Sequence, residues 1–319
     1  MITSDLVPAV EYFRYALCFG ALNRLKAFIP ENPRLEKEIR HYLRKLREAR
    51  IRREILRYHE HSGDREIREV LDFLRYHPVG LIPYPFREEI LVRPVAVNRG
   101  DDGVPYVLHG GRPVYFPRDW TDEKVKAQYL WSAMEQESPR SPHRYLPLEL
   151  DLVAPGTAVL VGASHGLFAL DVLDRADRLC LVDSDPKWID PLERTFRGQL
   201  GRVQVLNRLL SDCDGLSTSR LDSIFSGREE EIGYIQMDVE GMEREVLRGA
   251  RAILSRPGKL GLSVCCYHAQ EDEQEIGSLL RGYGFEVRTS PGYMICDLGE
   301  WKPPYLRRGV IHAWKDRLG

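Results

Sequence analysis

The sequence predicts an α/β fold with a doubly wound, mostly parallel sheet, and three predicted strand ends are the main reason. Each is an apolar run that stops at a glycine or an acid and leads into a helix: Thr157-Ala-Val-Leu-Val-Gly162, Leu181-Val-Asp-Ser-Asp185 and Tyr234-Ile-Gln-Met-Asp238. Because the carboxyl ends of parallel strands meet at one edge of a sheet, these residues are expected to form a common ligand site.

Strand and helix patterns alternate from residue 157 onward. The predicted strands are 157–162, 178–183, 202–206, 232–238 and 259–266. Four helices are predicted: one that starts near residue 166, and three that span 187–199, 242–254 and 271–282. This order favours parallel strands joined by helical crossovers. The last two strand candidates, 284–288 and 309–314, are joined without a long helix, which predicts a hairpin with one antiparallel strand.

The sequence upstream of this domain predicts two further regions. Residues 1–76 have a helical pattern, and residues 77–145 have the texture of a β-containing linker with a lead-in helix; the main domain is expected at 146–319. Between residues 34 and 57, ten Lys or Arg against four Glu give a local charge of +6. Such a run is typical of a solvated helix face, and a surface for an anionic partner is the alternative.

Within the linker, β-type runs at 89–93 and 104–108 predict two short strands, and Thr121 predicts the start of a helix that ends near residue 136. The segment that follows, Glu137-Ser-Pro-Arg-Ser-Pro-His-Arg-Tyr145, contains two prolines and predicts a stiff connector.

Composition places the chain among ordinary globular proteins. Its 319 residues are 43% hydrophobic with a formal charge of -2, so nothing global attracts nucleic acid or an anionic membrane. Six cysteines without C-x-x-C spacing favour a reduced, cytoplasmic protein over a disulfide or zinc framework. We expect neither a signal peptide nor a transmembrane segment, because no apolar run is long enough.

The glycine loop after the first strand is a candidate nucleotide-type site. Gly162, Ser164 and Gly166 would let backbone N–H groups approach a ligand, and Asp183 ends the next strand where an acid binds ribose hydroxyls. The structural alternative is a tight turn, with the Asp185-Pro186 pair capping the following helix.

The same loop also fits the G-x-S-x-G nucleophile elbow of hydrolases, with Ser164 as nucleophile. Asp238 with His268 or His312 would then supply the acid and the base in the required order. That alternative leaves Asp183 and the acids from Asp238 to Glu243 without a role.

One long segment carries a family resemblance. Ile235-Gln-Met-Asp-Val-Glu-Gly-Met-Glu-Arg-Glu-Val-Leu-Arg-Gly-Ala250 closely resembles the I-D-V-E-G-x-E…V-L-x-G-A signature of the FkbM family of S-adenosylmethionine-dependent methyltransferases. Ser219-Arg-Leu-Asp222, Leu210-Ser-Asp212 and Val161-Gly-Ala-Ser-His-Gly166 resemble further elements of that family, so the resemblance covers roughly residues 140–316. It implies a Rossmann-like methyltransferase sheet that binds S-adenosylmethionine.

The resemblance also implies a set of cofactor-binding residues. These are Gly162, Ala163, Ser164, Gly166, Asp183, Ser184, Ser211, Asp212 and Asp238. One position departs from the family, because the acid expected two residues before the first loop glycine is Leu160 here. This departure allows three consequences. The cofactor could bind more weakly, Ser164 or His165 could take over the contact of the missing acid, or the protein could be a catalytically silent relative.

The resemblance also implies the function, methyl transfer to a hydroxyl of a glycan or a secondary metabolite. The candidate catalytic residues are His268, Asp238 and Glu240, because they are expected at strand ends facing one crevice and can accept a hydroxyl proton. Glu243 is expected to complement its helix dipole. The candidate substrate residues are His143, Arg144 and Tyr267.

No metal is expected from the sequence, since no second oxygen-ligand motif accompanies the carboxylates. The expected partner is a small-molecule or glycan acceptor, not a nucleic acid. We expect the N-terminal helical region to form part of the acceptor site or a homo-oligomer interface.

Overall fold

The computed structural model describes residues 33–199, 201–296 and 301–315. The chain divides into two compact units, Met1–Glu54 and Ile55–Gly319. In the first unit the described residues are helical and belong to α1 (Pro33–Tyr58), whereas the predicted helical character of residues 1–32 lies outside the described part of the chain. Among the helices that the structure describes, none is both long and apolar enough to cross a bilayer.

The second unit begins with short elements that precede the main sheet. These are α2 (Arg65–Tyr76), α3 (Phe86–Leu91), β1 (Asn98–Arg99), β2 (Pro105–His109), β3 (Arg112–Tyr115) and α4 (Asp122–Gln136). The predicted strand at 104–108 is confirmed as β2, and Thr121 caps α4 by accepting the N–H of Lys124. The predicted strand at 89–93 is wrong: this segment overlaps α3, which Pro85 precedes and whose first turn carries Glu88 and Glu89, residues that suit a helix N-terminus.

The main sheet is doubly wound and mostly parallel, as predicted. Its strands lie in the order β11-β12-β10-β9-β4-β5-β6, and β12 alone runs antiparallel to both of its neighbours. The strands are β4 (Thr157–Val161), β5 (Arg178–Asp183), β6 (Val203–Asn207), β9 (Ile232–Met237), β10 (Leu260–Cys265), β11 (Glu286–Thr289) and β12 (Val310–Lys315). A separate two-stranded sheet pairs β7 (Leu209–Leu210) with β8 (Thr218–Ser219).

In the described part of the chain, six helices connect these strands. They are α5 (Leu167–Leu173), α6 (Ile189–Thr195), α7 (Leu221–Ile224), α8 (Glu243–Arg248), α9 (Arg251–Ser255) and α10 (Asp272–Gly282).

Two of the long predicted helices are interrupted in the structure. At 187–199, α6 begins only at Ile189 because Pro191 has no N–H and fits only a first turn, and single 3₁₀ turns flank the helix.

The predicted helix at 242–254 is divided at Gly249. A Cβ atom on Gly249 would lie 2.1 Å from the carbonyl oxygen of Ser211. The backbone at Gly249 therefore lies so close to the backbone at Ser211 that no side chain fits between them. The Asp222 carboxylate then starts α9 by accepting the N–H groups of Ala252 at 2.9 Å and Ile253 at 3.1 Å.

The central strands β4, β9 and β10 are buried on both faces, and alternate residues of β4 belong to two separate apolar cores. Ala158 and Leu160 of β4 pack with α5, α6 and the upstream β2, β3 and α4. Val159 and Val161 of the same strand pack with α8, α9 and α10 on the other face. This alternation follows from the two-residue period of a strand.

The order of the strands reverses between β4 and β9. From β4 the chain proceeds outward to β5 and β6, and it then returns to start β9 and β10 on the other side. A crevice forms at the carboxyl ends of the strands at such a switch point, and ligands of open α/β sheets bind there. Gly162 follows β4 and Asp238 follows β9, so both lie at this crevice.

One prediction concerns His312 in the middle of β12. Its side chain is 3% exposed, its Nδ1 lies 3.3 Å from Ser263 Oγ, and burial lowers its pKa to about 4. Because the unfolded chain binds a proton there near pH 6.5 and the native chain does not, stability is lost as the pH falls through this window. The loss is about 2 kcal/mol between pH 7 and pH 5.

We therefore expect His312→Gln, which keeps an N–H donor for Ser263, to lose less stability than the parent chain over this range. Urea unfolding at both pH values measures the difference. The exposed His61 offers a matched control, since His61→Gln should keep the parent pH profile. Identical profiles for all three proteins would contradict the prediction.

Candidate functional site

The glycine loop between β4 and α5 is sharply bent. Gly162, Ser164 and Gly166 have φ angles of 81°, 49° and 78°, in the left-handed region that favours glycine. A Cβ atom on Gly162 would lie 1.9 Å from the backbone carbonyl oxygen of Asp238. The loop and the end of β9 are therefore in direct backbone contact, which brings two of the three predicted strand ends together.

Asp183, the third strand end, is held by the same loop. Its Oδ2 accepts the N–H of Ser164 at 2.8 Å, and its Oδ1 accepts the N–H of Asp185 at 2.9 Å. Burial raises its pKa, and these two donors act in the opposite direction. Since each carboxylate oxygen has a second lone pair, Asp183 can still accept two hydroxyl groups. Ser184 beside it is exposed, and Asp185 caps the turn at Lys187.

Ser211 and Asp212 lie beyond the third strand from the switch point. The N–H of Ser211 donates to the carbonyl of Ser219 at 3.1 Å, next to the β7–β8 pair. The exposed Asp212 lies 3.8 Å from the guanidinium of Arg248. Thus the loop, Asp183 and the Ser211 segment follow β4, β5 and β6 at one edge of the sheet.

Asp238 is the centre of a cluster of polar side chains. Its Oδ2 accepts the hydroxyl hydrogen of Tyr145 at 2.8 Å and lies 3.3 Å from His143 Nε2, while its Oδ1 lies 3.7 Å from His268 Nε2. Burial alone would raise the pKa of Asp238, but these partners hold it well below its usual range. Asp238 is therefore an anion at neutral pH.

His268 is surrounded by three carboxylates. Its Nδ1 lies 3.1 Å from Glu243 Oε1, and its Nε2 lies 3.6 Å from Glu240 Oε2 in addition to the contact with Asp238. Burial acts to lower its pKa, but contacts with Glu240 and Glu243 and the charge of Asp238 prevail and raise it to about 10. Without a ligand, the ring holds a proton at neutral pH.

Glu240 and Glu243 leave the turn after β9 in different directions. Glu240 has a φ of 56° and Gly241 one of 98°, and the Glu240 side chain is 81% exposed. Glu243 begins α8, as predicted, but its side chain is 1% exposed and its Oε1 accepts the N–H of Val239 at 2.9 Å. Glu243 is therefore part of the cluster, which the expected helix-dipole role did not anticipate.

The connector before β4 brings His143 and Tyr145 to the cluster. Gln136 holds the connector with both ends of its amide: Nε2 donates to the carbonyl of His143 at 3.0 Å, and Oε1 accepts the N–H of Tyr145 at 3.0 Å. Ser263 Oγ donates to the Tyr145 carbonyl at 2.6 Å. His143, a predicted substrate residue, is fully buried against Asp238.

The other two predicted substrate residues lie in different places. Tyr267 is 6% exposed, and its ring contacts those of His143 and His268, with centroids at 5.3 and 4.1 Å. Arg144 does not join the cluster, because its guanidinium donates to the carbonyls of Gln136, Glu137 and Leu146. It lines a separate cavity of about 660 Å³ beside α5.

The hydrolase arrangement is not assembled around Ser164. Its Oγ lies 3.1 Å from His165 Nδ1, and His165 is buried against Phe116 with a pKa that burial lowers to about 4. His312 contacts Ser263, and His268 contacts the carboxylates. A serine nucleophile needs a base within hydrogen-bond reach that a third group orients, and neither His268 nor His312 is the partner of Ser164.

The contact between Gly162 and Asp238 predicts an asymmetric response to alanine. Gly103→Ala has a similar φ of 78° but nothing within 4 Å of the new Cβ, so it should cost roughly 1–2 kcal/mol of backbone strain. Gly162→Ala should cost at least about 2 kcal/mol more, because its Cβ must displace the end of β9. Urea unfolding of both variants tests this, and equal losses would show that the contact is not tight.

The hydroxyl of Tyr145 should contribute more to the free energy of unfolding than the hydroxyl of an ordinary tyrosine. Tyr145→Phe removes a donor to a partly buried, ionised carboxylate and should cost about 2 kcal/mol of unfolding free energy. Tyr129 makes a matched control, because its hydroxyl lies 3.0 Å from His109 Nδ1 and Tyr129→Phe should cost only about 1 kcal/mol. The prediction fails if denaturation curves of the two variants coincide.

Comparison with known proteins gives a family match over part of the chain. No curated protein matches the chain in sequence. Among solved structures, the fibrillarin pre-rRNA processing protein of Methanococcus jannaschii is 12% identical with a TM-score of 0.36, over 70% of this chain and 98% of that one. Precorrin-6y C5,15-methyltransferase of Geobacter metallireducens is 14% identical with a TM-score of 0.34, over 52% and 85% of the two chains. Residues 192–287 match the methyltransferase FkbM domain, which confirms over that segment the family resemblance inferred from the sequence.

Proposed function

We propose that the protein is an S-adenosylmethionine-dependent O-methyltransferase that acts on a hydroxyl of a glycan or a secondary metabolite. The FkbM domain match and the doubly wound sheet support methyl transfer. One observation carries the proposal for this chain: the glycine loop, Asp183 and the buried Asp238 cluster all lie at the switch point of the sheet. A ligand bound there would contact the loop on one side and the cluster on the other.

The residues at the switch point fit the cofactor. Asp183 retains two lone pairs for the ribose hydroxyls, and Ser184, Ser211 and Asp212 continue the same edge of the sheet. The Oδ1 atom of Asp238 is buried without a hydrogen-bond partner, which leaves it free to face a cationic group. When bound, S-adenosylmethionine supplies a methyl group on a positively charged sulfur. The loop residues Gly162, Ala163, Ser164 and Gly166 would hold it against β4.

Leu160 supplies no charged or polar contact to the cofactor. Its side chain is 1% exposed and belongs to the apolar core beneath the loop, at the position where the family has an acid. The electrostatic contacts of the cofactor therefore fall to Asp183 and Asp238.

The cluster around Asp238 can bind and activate an acceptor hydroxyl. A hydroxyl is a poor nucleophile, so a group that accepts its proton accelerates methyl transfer. We place this proton on Glu240, whose Oε2 lies 3.6 Å from Nε2 of the protonated His268 ring. Asp238 Oδ1 lies 3.7 Å from the same nitrogen and completes the group of candidate catalytic residues. His143 and Tyr267 form the wall beside this group, and Tyr145 and Gln136 fix its geometry.

We expect different effects from substitutions of the two neighbouring acids Asp183 and Asp185. Asp183→Ala should weaken binding of S-adenosylmethionine by at least about tenfold, because it removes the acceptor of the ribose hydroxyls. Asp185→Ala is the matched control: it removes the cap at Lys187 and should leave affinity nearly unchanged. His268→Ala should retain binding within about threefold and, with an acceptor from a panel of hydroxylated glycans, lose about a hundredfold in turnover.

Calorimetric titration of the parent chain with S-adenosylmethionine and with its demethylated product comes first. Absence of binding to both would contradict the proposed function and leave a catalytically silent relative. Equal losses of affinity in Asp183→Ala and Asp185→Ala would contradict the role assigned to Asp183.

A further inference from the structure

Two buried carboxylate oxygens at the end of β9 are left without a hydrogen-bond partner. They are Oδ1 of Asp238 and Oε2 of Glu243. In each carboxylate the other oxygen is fixed by a donor: Tyr145 donates to Oδ2 of Asp238 at 2.8 Å, and the N–H of Val239 donates to Oε1 of Glu243 at 2.9 Å. A buried anion with an unused oxygen is unfavourable unless a cation lies beside it.

His268 completes the arrangement. Its side chain is 6% exposed, and neither ring nitrogen has a hydrogen bond of good geometry, although carboxylate oxygens lie 3.1 to 3.7 Å away. One ligand atom from each of Asp238, Glu243 and His268 lies within 4.8 Å of the others. Ligands that share one ion at about 2.2 Å are themselves separated by roughly 3 to 4.4 Å, so small side-chain movements suffice to enclose an ion.

We propose that Asp238, Glu243 and His268 bind a divalent cation of the first transition row, with Mn²⁺ as the best match. Two carboxylate oxygens suit hard divalent ions, and one imidazole nitrogen favours Mn²⁺ over Mg²⁺ or Ca²⁺. The donors that fix Oδ2 of Asp238 and Oε1 of Glu243 are the outer contacts that orient metal ligands in proteins. The ion takes the place of the proton that the His268 ring otherwise holds, and this proton is released to solvent on binding. With three protein ligands, the ion has positions open to the crevice.

A second grouping in the same cluster, His143, Asp238 and Cys265, is less suited to an ion. Its shared carboxylate oxygen, Oδ2 of Asp238, already accepts the Tyr145 hydroxyl and lies 3.3 Å from His143. His143 Nε2 in turn lies 3.8 Å from the Cys265 sulfur, so the three groups satisfy one another.

The ion gives the proposed reaction a means of activating its acceptor. A bound divalent cation polarises a coordinated hydroxyl, so that its proton leaves more readily. Glu240, exposed at the mouth of the cluster, is positioned to take that proton. This role rests on the proposed methyl transfer, whereas the binding of the ion itself does not, and the two can be tested apart.

The test is a titration of the purified, chelator-treated chain with Mn²⁺, followed by the electron paramagnetic resonance signal of the free ion, with no cofactor or acceptor present. We expect one ion per chain to be bound in the micromolar range. Glu243→Gln, which keeps an oxygen acceptor for the N–H of Val239, should weaken binding at least tenfold, and His268→Gln should do the same. Asp174→Asn removes one exposed carboxylate that pairs with Arg112 and should bind as the parent does.

Circular dichroism melting of each variant shows whether it is folded. If either Glu243→Gln or His268→Gln fails to fold, the other one still tests the proposal. Absence of Mn²⁺ binding by the parent chain overturns the proposal, as does undiminished binding in the folded cluster variants. Loss in Cys265→Ala with retention in Glu243→Gln moves the ion to the second grouping and also overturns it. Because cofactor is absent, failure of the proposed methyl transfer leaves these outcomes unaffected.

Discussion

The charge on Asp238 is the constraint on which the site depends. A carboxylate at the end of a buried strand remains ionised only when donors and cations surround it. Here the Tyr145 hydroxyl and His143, both from the connector, and His268, which follows β10, provide that environment from two separate parts of the chain. The connector, the turn after β9 and the end of β10 therefore all meet at the Asp238 carboxylate. A change in any one of these segments is expected to disturb the contacts that the other two make there.

Most of the sheet could be predicted because its signals are local. Buried strands followed by glycine or acid, separated by amphipathic segments, specify parallel strands and their carboxyl ends, and the predicted strands from 157 onward are confirmed within one or two residues. The errors are at places where tertiary contacts decide. Asp222 starts a new helix inside a segment with a continuous helical pattern, and the Glu89-Ile-Leu-Val-Arg93 run has strand-like residues that a proline and two acids direct into a helix.

The cluster itself could be predicted only in part. Asp238 and His268 follow neighbouring strands, so topology alone brings them together. Tyr145 and Glu243 had no such signal. Tyr145 reaches Asp238 because Gln136 and Ser263 fix the connector, a set of contacts between residues up to 118 positions apart. Glu243 is buried and accepts the N–H of Val239 across a turn in which Glu240 and Gly241 have positive φ angles, and a sequence pattern does not specify this arrangement.

The signs of the charges indicate what the crevice favours. Asp238, Glu240 and Glu243 contribute three carboxylates around the ring of His268, and His143 adds one further basic group on the far side of Asp238. Even with both rings protonated, the carboxylates remain in excess. A cation that enters the crevice is therefore stabilised by charges already held in place, with little reorganisation of the protein. A sulfonium and a divalent ion both meet that requirement, because each is a cation and the excess of carboxylates at this strand end favours a positive charge.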